Sequence, residues 1–348
     1  MNKITFCIPS KDNLRYLKSS ITSIKQNSVL DNEIIVWVDS DNDRTEEWLK
    51  ENQIKHLLNS KNKPQGIAAG YNRCIEEASN EIVCMFHADM FMGKGFDVNL
   101  IKYLQPKTVV AGTRIEPPLH PPGKEKIIQD LGMYPEDFNE EKFNNIVSQI
   151  QEEHKDQVTY GIFAPWACYK DEILEIGMHD EEFHSYHEDS DIFNRFILNG
   201  MKLIQSRDAL VYHLTCRGGK WIDGIEQVTN DTKFHDMTMR ARKHYLKKWG
   251  CWIKNDEYQH PILSPVYNKQ LIINNSNSNL EQLKDWFNGG KDIIVKIDGN
   301  TFTQQDFVII QQLNDIIKDS GELGEFKLGN VQITINSLKE HQNNLIKI

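Results

Sequence analysis

The stretch EIVCMFHAD, residues 81–89, begins as an apolar run and ends in a histidine and a carboxylate. A continuous run such as IVCMF predicts a strand that is buried on both faces, as the strands of parallel sheets are. Its polar end has two explanations, because His87 and Asp89 either terminate the strand or bind a ligand. The residues on both sides of this stretch decide the fold and distinguish these explanations.

The residues before this stretch alternate between apolar runs and helical patterns. KITFCIP, EIIVWVD and IKHLLNS predict three more strands. Leu14, Leu17 and Ile21 recur at three- and four-residue spacing, which predicts an amphipathic helix. DRTEEWLKEN predicts a second helix with a capping box formed by Asp43 and Glu46, and QGIAAGYNRCIEEAS predicts a third helix. This alternation predicts a mostly parallel, doubly wound α/β sheet.

Composition limits the class of protein. A length of 348 residues favours two domains, and 39% hydrophobic with 26% charged residues fits a globular chain. The net charge of -10 argues against a nucleic-acid partner, which requires a basic surface. We expect no integral membrane segment, because no apolar run approaches the ~18 residues that a span needs.

The cysteines and the first residues indicate a location. The six cysteines are scattered, without a Cys-x-x-Cys pair, which favours the reducing cytoplasm and disfavours a cysteine-rich zinc site. MNKITFCIPS leads directly into a strand, so a signal peptide is not expected. The sequence therefore predicts a cytoplasmic protein.

Several predicted strands end in polar residues or proline. Parallel strands end at one edge of a sheet, and ligands bind there. The chain has neither the Gly-x-Gly-x-x-Gly motif of dinucleotide-binding proteins after the first strand nor a P-loop. The residues expected at this edge are Pro9, Ser10, Asp39, Asp41, His87 and Asp89.

Seven short motifs in a particular order give the chain a resemblance to a known family. They are CIPS, VDSDNDRT, QGIAAGYN, HAD, IGMHDEEF, HEDSDIFNRFILNG and VYHLT, and the resemblance that they carry covers about residues 4–221. In this order they resemble the motifs of family 2 glycosyltransferases with the GT-A fold, which is Rossmann-like. The chain departs from the family pattern at His87, where an aspartate is usual, and at Tyr71, where an arginine is frequent.

The resemblance implies a reaction. It implies transfer of a sugar from a nucleotide diphosphate, UDP-linked in our prediction, to a glycan or other hydroxyl acceptor, with inversion at the anomeric carbon. Asp89 and His213 would hold Mn²⁺ or Mg²⁺, Asp189 would be the general base, and Glu188 would orient the acceptor. The residues expected to bind the nucleotide sugar are Pro9, Ser10, Asp39, Asp41, Gly66, Asn72, His87, Asp89 and Trp166.

Several of these residues also have structural explanations. Glu188 and Asp189 would equally serve as caps in the first turn of a helix, and His87 as a capping imidazole. Trp166 either stacks on a sugar or packs in the core. Asp191 is expected to brace the loop or to pair with Arg195. A zinc site at His179, His184 and His187 is disfavoured, because their spacing matches no known ligand pattern.

Two other functions compete with sugar transfer. The first is an inactive GT-A scaffold that binds a nucleotide sugar or a glycan. The second is a sugar nucleotidyltransferase, because AGTRIEPP is similar to the glycine-rich signature of those enzymes. That signature opens the first strand in nucleotidyltransferases, whereas here CIPSKDN occupies that position, so the second alternative is disfavoured.

The sequence changes character near residue 252. YQHPILSPVYN contains two prolines and no helical pattern, which is typical of a linker. We predict a GT-A domain over residues 1–255, a linker over 256–268 and a small C-terminal α/β domain over 269–348. The last is predicted to alternate strands and helices, and it offers a possible surface for homo-oligomers.

Overall fold

A computed structural model describes most of the first 263 residues and three later segments. The described residues are 3–61, 63–215, 221–222, 225–226, 232–249, 253–263, 269–274, 324–328 and 331–337. The chain divides into two compact units, of which the first comprises residues 1–235 and 255–260 and the second comprises 236–254 and 261–348. This division differs from the predicted boundary at residue 255.

The first unit is built on a ten-stranded sheet. Its strands are β1 Ile4–Lys11, β2 Glu33–Ser40, β3 Lys55–Leu58, β4 Ile82–Met85, β5 Met90–Met92, β6 Thr108–Glu116, β7 Lys126–Ile128, β8 Val158–Thr159, β9 Trp166–Tyr169 and β10 Lys202–His213. Strands β1 to β4 pair in parallel, β9 lies antiparallel between β4 and β6, and β10 pairs in parallel with β6. The spatial order is β3-β2-β1-β4-β9-β6-β10-β5, and β7 and β8 join β6 and β10.

Helices connect these strands, and their apolar sides contribute to a continuous core. The helices described in this unit are α1 Leu14–Asn27, α2 Thr45–Glu51, α3 Ile67–Glu77, α4 Phe96–Ile101, α5 Glu140–Glu153, α6 Lys170–Glu175 and α7 Glu188–Leu198. The predicted first helix is confirmed as α1, with Leu17, Ile21 and Ile24 buried against the sheet. A second cluster around Phe143 and Tyr212 packs α5 on β10.

The predicted capping box at the start of α2 is wrong. Arg44 precedes the helix in a left-handed conformation (φ 65°), and no side chain caps the helix from that position. Asp43 instead accepts hydrogen bonds from the backbone N–H of Leu14 and the hydroxyl of Thr45. Asp41 Oδ1 accepts a hydrogen bond from the N–H of Glu46 at 2.9 Å, so Asp41 provides a partner for a free N–H group in the first turn of the helix.

The remaining described elements are a short hairpin, a helix and a small sheet. Strands β11 Trp221–Ile222 and β12 Ile225–Glu226 form the hairpin, and helix α8 spans Thr232–Trp249. Strands β13 Lys269–Asn274, β14 Gly324–Leu328 and β15 Val331–Ser337 form an antiparallel sheet in the order β13-β15-β14. The helices predicted between β13 and β14 lie outside the described residues. Within the described residues, no helix has both the length and the apolar character that crossing a membrane requires.

A fully buried ion pair fixes α7. Arg195 Nε donates to Asp191 Oδ2 at 2.9 Å, and both side chains are 0% exposed. Arg195 also donates to the carbonyl oxygens of Ile176 and Met178, which precede the helix. The predicted pairing of Asp191 with Arg195 is therefore confirmed, and Arg195 ties the helix to the preceding loop.

Removing one member of this pair should destabilise the fold strongly. Asp191→Ala would leave the buried Arg195 guanidinium without its carboxylate, so we expect a loss of about 3–5 kcal/mol in the free energy of unfolding. Asp31→Ala breaks an exposed pair with Lys3, where the aspartate side chain is 91% exposed, and should change the free energy of unfolding far less. Urea unfolding measures both changes, and similar losses in the two variants would contradict this assignment.

Candidate active site

Asp39 ends β2 at the carboxyl edge of the sheet, as predicted, and it is buried. Its carboxylate accepts hydrogen bonds from Asn59 Nδ2 at 3.0 Å, from the N–H of Gln65 at 2.8 Å and from the N–H of Gly66 at 2.9 Å. A carboxylate offers about four acceptor positions, so one remains for a ligand. Asp39 therefore holds the chain entering α3 and keeps a limited capacity to bind.

Gly66 stands at the N-terminus of α3 for two steric reasons. Its φ is +92°, and a Cβ built there would lie 2.1 Å from the carbonyl oxygen of His184. The same carbonyl oxygen accepts from the N–H of Ile67 at 3.0 Å. Only glycine allows this approach, which brings the start of α3 against the loop that leads to α7.

Asn72 makes a second connection between α3 and the same loop. Its side chain donates to the carbonyl oxygen of His179 at 2.9 Å and to Glu181, and its Oδ1 accepts from the N–H of His179 at 2.9 Å. These bonds use both ends of the amide. Asn72 thus contributes to the site by positioning the loop.

Two adjacent residues at the end of β1 were also predicted to bind the nucleotide sugar. Pro9 lies beside α3, because a Cβ added at Gly70 would come within 2.9 Å of its Cβ. Ser10 is 3% exposed, and its hydroxyl has no hydrogen-bond partner. Buried hydroxyl groups are normally paired, so the Ser10 hydroxyl is a candidate ligand contact.

Three side chains from two parts of the chain form the candidate metal site, which we call the metal triad. His87, Asp89 and His213 place one ligand atom each within 4.8 Å of one another, and His213 Nε2 lies 3.4 Å from Asp89 Oδ1. The register of β10 explains the approach, because His213 lies opposite Met90 of β5. The predicted ligands Asp89 and His213 are therefore together, and His87 joins them.

The donor atoms of the metal triad fit a divalent transition-metal ion. Two imidazole nitrogens and one carboxylate oxygen are ligands that such ions accept, whereas Mg²⁺ prefers oxygen ligands alone. Within the described residues, this is the group of histidine, cysteine and acidic side chains that lies close enough for a metal ion. The triad can hold the cation and leave other coordination positions to a ligand.

Glu116, which the sequence analysis missed, lies directly behind His213. Tyr212 of β10 pairs with Ile115 of β6, so the next residues, His213 and Glu116, are neighbours. Glu116 accepts from His213 Nδ1 at 3.1 Å, from Arg114 at 2.9 Å and from Lys126 at 3.0 Å. The available signal was Arg114 and Glu116 two residues apart at the end of an apolar strand, which places both charges on one face.

The triad and Glu116 perturb one another's pKa values. Burial lowers the pKa of His213, but the carboxylates of Asp89 and Glu116 outweigh it and raise the pKa to about 9. Burial and the neighbouring His213 lower the pKa of His87 to about 4. Burial would raise the pKa of Glu116, yet Arg114 and His213 hold it well below its usual range.

Glu188 and Asp189 form a carboxylate pair in the first turn of α7. Burial, followed by the charge of Asp189, raises the pKa of Glu188 to about 8, and burial raises the pKa of Asp189 as well. Glu188 Oε2 is shielded from solvent and has no hydrogen-bond partner, whereas Asp189 Oδ1 accepts from the N–H of Ser190 at 2.6 Å. The two carboxylates therefore titrate as a coupled pair, and the pair binds its first proton at a higher pH than a free carboxylate does.

Tyr71 lies near both the carboxylate pair and the metal triad. Its side chain is 3% exposed, its ring stacks on His179 at 5.2 Å, and its hydroxyl has no hydrogen-bond partner. Burial raises the pKa of this hydroxyl, and the charges of Glu188 and Asp89 raise it further. Tyr71 thus lies near both groups, at a position where its hydroxyl can meet a bound ligand.

Other residues considered for the site, Trp166 and the loop histidines, make contacts within the protein. Trp166 is 2% exposed and packs edge-on against Phe193 and Phe196, which are the contacts expected for the core alternative. His179 is buried, and burial with the charge of Arg195 lowers its pKa to about 3. His184 Nδ1 contacts the carbonyl oxygen of Gln65, and the three loop histidines form no metal group among the described residues.

The first half of the chain matches a known protein family. Residues 5–174 match the family model for glycosyl transferase family 2. The predicted resemblance to that family is confirmed. The chain resembles GalNAc-T7 solved with UDP, GalNAc and Mn²⁺, with 14% identity and a TM-score of 0.50 over 74% of this chain and 49% of that chain. This likeness confirms the predicted GT-A fold, although the chain spans about half the length of GalNAc-T7.

Two further structures give weaker likenesses. S. aureus TarS 1–349 in complex with UDP has 14% identity and a TM-score of 0.43, with 60% of each chain covered. The mannosyltransferase PcManGT from Pyrobaculum calidifontis, in complex with GDP-Man and Mn²⁺, has 17% identity and a TM-score of 0.44, with 70% of this chain and 62% of that chain covered. No curated protein matches the chain.

Burial of Glu188 should make stability depend on pH in a defined direction. Its ordinary pKa is 4.5, and burial raises the pKa to about 8, so between these values the folded state binds more protons than the unfolded state. The free energy of unfolding should therefore fall as pH rises through this window. Glu188→Gln removes this contribution, so its stability relative to wild type should rise from pH 5 to pH 9. A tenfold difference in proton affinity is worth about 1.4 kcal/mol, so we expect a rise of more than about 1 kcal/mol.

Urea unfolding at several pH values in metal-free buffer measures this effect. Glu182→Gln is the control, because this carboxylate lies in the same loop but is exposed. The control should follow the wild-type pH profile throughout. If Glu188→Gln also ran parallel to wild type, the raised pKa would be refuted.

Proposed function

We propose that this protein is a metal-dependent, inverting glycosyltransferase that moves a sugar from a UDP-linked donor to an acceptor hydroxyl. One arrangement carries the proposal. The metal triad and the half-buried pair Glu188 and Asp189 both lie near Tyr71. GalNAc-T7, which has the same fold, was solved with UDP and Mn²⁺, and this supports the choice of donor and metal.

The triad favours Mn²⁺ over Mg²⁺ because two of its three ligands are imidazoles. When bound, the cation would stabilise the negative charge that develops on the departing nucleoside diphosphate. Asp89 contributes the carboxylate, His87 and His213 contribute nitrogens, and Glu116 orients His213 from behind.

The donor would be held by atoms that the protein leaves available. Asp39 keeps one acceptor position for the base, and the buried hydroxyl groups of Ser10 and Tyr71 lack protein partners. Gly66 and Asn72, which were also predicted to bind the donor, hold α3 against the loop before α7. The site therefore separates residues that contact the donor from residues that position them.

Asp189 is the proposed general base, because Glu188 is the carboxylate of the pair whose pKa is raised to about 8. An acceptor hydroxyl that attacks the anomeric carbon must lose a proton, and an ionised carboxylate can accept it. With its pKa raised to about 8, Glu188 is the proposed donor of a hydrogen bond that orients the acceptor. The negative charge of Asp189 also favours a transition state with oxocarbenium character. Direct attack on the face opposite the leaving group inverts the anomeric configuration.

The metal assignment is tested by binding. We expect wild type to bind UDP more tightly with Mn²⁺ than with Mg²⁺ in calorimetric titrations. Asp89→Asn should lose the Mn²⁺-dependent part of this affinity, by at least the ~10–100-fold typical of outer-shell changes. Asp156→Asn changes an exposed carboxylate and should bind as wild type does. Equal affinity in the Asp89 variant would remove the metal from the proposal.

The base assignment is tested by transfer. Asparagine keeps a side-chain oxygen that can accept from the N–H of Ser190, so Asp189→Asn should leave the first turn of α7 intact. If Asp189 is the base, transfer should fall by roughly 10²–10⁴-fold while donor and Mn²⁺ affinity stay unchanged. Glu188→Gln should act more mildly, on the apparent acceptor affinity. NMR of the product should show an inverted anomeric carbon.

Two outcomes would overturn this proposal. Near-normal turnover of the Asp189 variant would transfer the role of base to Glu188 or Asp191. Tight binding of UDP with Mn²⁺ by a wild-type protein that neither hydrolyses nor transfers the sugar would indicate the inactive scaffold.

A further inference from the structure

Glu116 is a buried carboxylate surrounded by three nitrogen-bearing side chains. It is 2% exposed, and it ends β6 beside the end of β10. Oε1 lies 3.1 Å from His213 Nδ1 and 2.9 Å from Arg114 Nη1, and Oε2 lies 3.0 Å from Lys126 Nζ. Two of these partners are permanent cations, and the third is a member of the metal triad.

The contact with Glu116 determines which nitrogen of His213 can bind a metal. An ionised carboxylate only accepts hydrogen bonds, so the nitrogen that faces it carries the hydrogen. In neutral His213 the hydrogen is therefore on Nδ1, and Nε2 keeps its lone pair. Nε2 lies 3.4 Å from Asp89 Oδ1, on the side of the metal triad. This is the tautomer that a metal ion requires.

Arg114 and Lys126 explain how a carboxylate stays in this buried position. Burial removes the hydration of a carboxylate, so a buried carboxylate needs neighbouring groups that compensate its charge. Arg114 and Lys126 supply that compensation here. They also bond both oxygens, so the plane of the carboxylate is fixed.

We propose that Glu116 is a positioning residue of the metal site, which holds His213 in the tautomer and orientation that direct Nε2 to a divalent cation. Arg114 and Lys126 hold Glu116 in turn. This inference rests on the proposed metal-dependent function. It goes beyond that function by extending the site to a strand, β6, that contributes no ligand of its own.

The test compares two buried carboxylates that both approach Arg114. Glu116 contacts His213, whereas Glu125 lies 3.8 Å from Arg114 and belongs to the loop before β7. Calorimetric titration of Mn²⁺ into the full-length protein is the first measurement. Glu116→Gln should weaken Mn²⁺ binding by roughly 10–100-fold, because the neutral amide no longer fixes the tautomer. Glu125→Gln should bind Mn²⁺ as wild type does.

A second variant separates binding from stability. Glu116→Gln leaves Lys126 facing a neutral group in a buried position and is expected to lower the melting temperature. The double variant Glu116→Gln with Lys126→Met restores the charge balance. It should recover the melting temperature without recovering Mn²⁺ affinity. Recovery of both would mean that Glu116 acts only through the stability of the fold, and it would overturn the proposed role.

Pulsed electron paramagnetic resonance of bound Mn²⁺ gives an independent readout. Wild type should show nitrogen couplings from two imidazoles, and Glu116→Gln should lose or weaken the coupling from His213. A variant with both couplings and wild-type affinity would overturn the role of Glu116 alone. Absence of Mn²⁺ binding in wild type would refute the metal-dependent function, and the positioning role with it.

Discussion

The register of β10 between β6 and β5 is the constraint on which the candidate site depends. Leu214 donates its N–H to the carbonyl oxygen of Asp89 at 2.9 Å, and His213 lies opposite Met90. On the other side, the pairing of β10 with β6 brings His213 beside Glu116. Because side chains alternate along a strand, a slip of one residue would turn His213 to the other face. The metal triad therefore forms only when these backbone ladders form.

The proposed donor is an anion, whereas the chain has a net charge of -10. Arg114 and Lys126 lie in this region, but both contact Glu116, and Arg114 also lies 3.8 Å from Glu125, so acidic groups of the protein compensate these cations. Glu188 and Asp189 add two acidic side chains in the first turn of α7. A divalent cation in the metal triad would then supply the positive charge that a diphosphate requires. Its position would be set by three side chains that lie close together, His87, Asp89 and His213.

Sequence patterns predicted the fold well, because the spacing of buried residues in a helix or strand depends only on residues that are close together in the chain. Apolar runs and helical spacing located the first strands and α1, and polar strand ends located Asp89 at the correct edge. The capping box failed because Asp43 bonds Leu14, 29 residues away. Glu116 was missed because its partner His213 is 97 residues distant, and a single glutamate in a strand gives no sign of which strand will lie beside it.

The motif QGIAAGYN was predicted to bind a ligand, but two of its residues also hold the loop before α7 in place. Gly66 admits the carbonyl oxygen of His184, and Asn72 bonds both backbone groups of His179, which is 107 residues further along the chain. Both contacts hold the loop that ends at Glu188, the first residue of α7. Since α3 also packs on β1 and β2, whose ends face the expected donor, the same helix sets the donor edge and the carboxylate pair. In the proposed function, α3 would therefore set the distance between Asp189 and the donor, and a side chain added at Gly66 would disturb both the donor edge and the loop before α7.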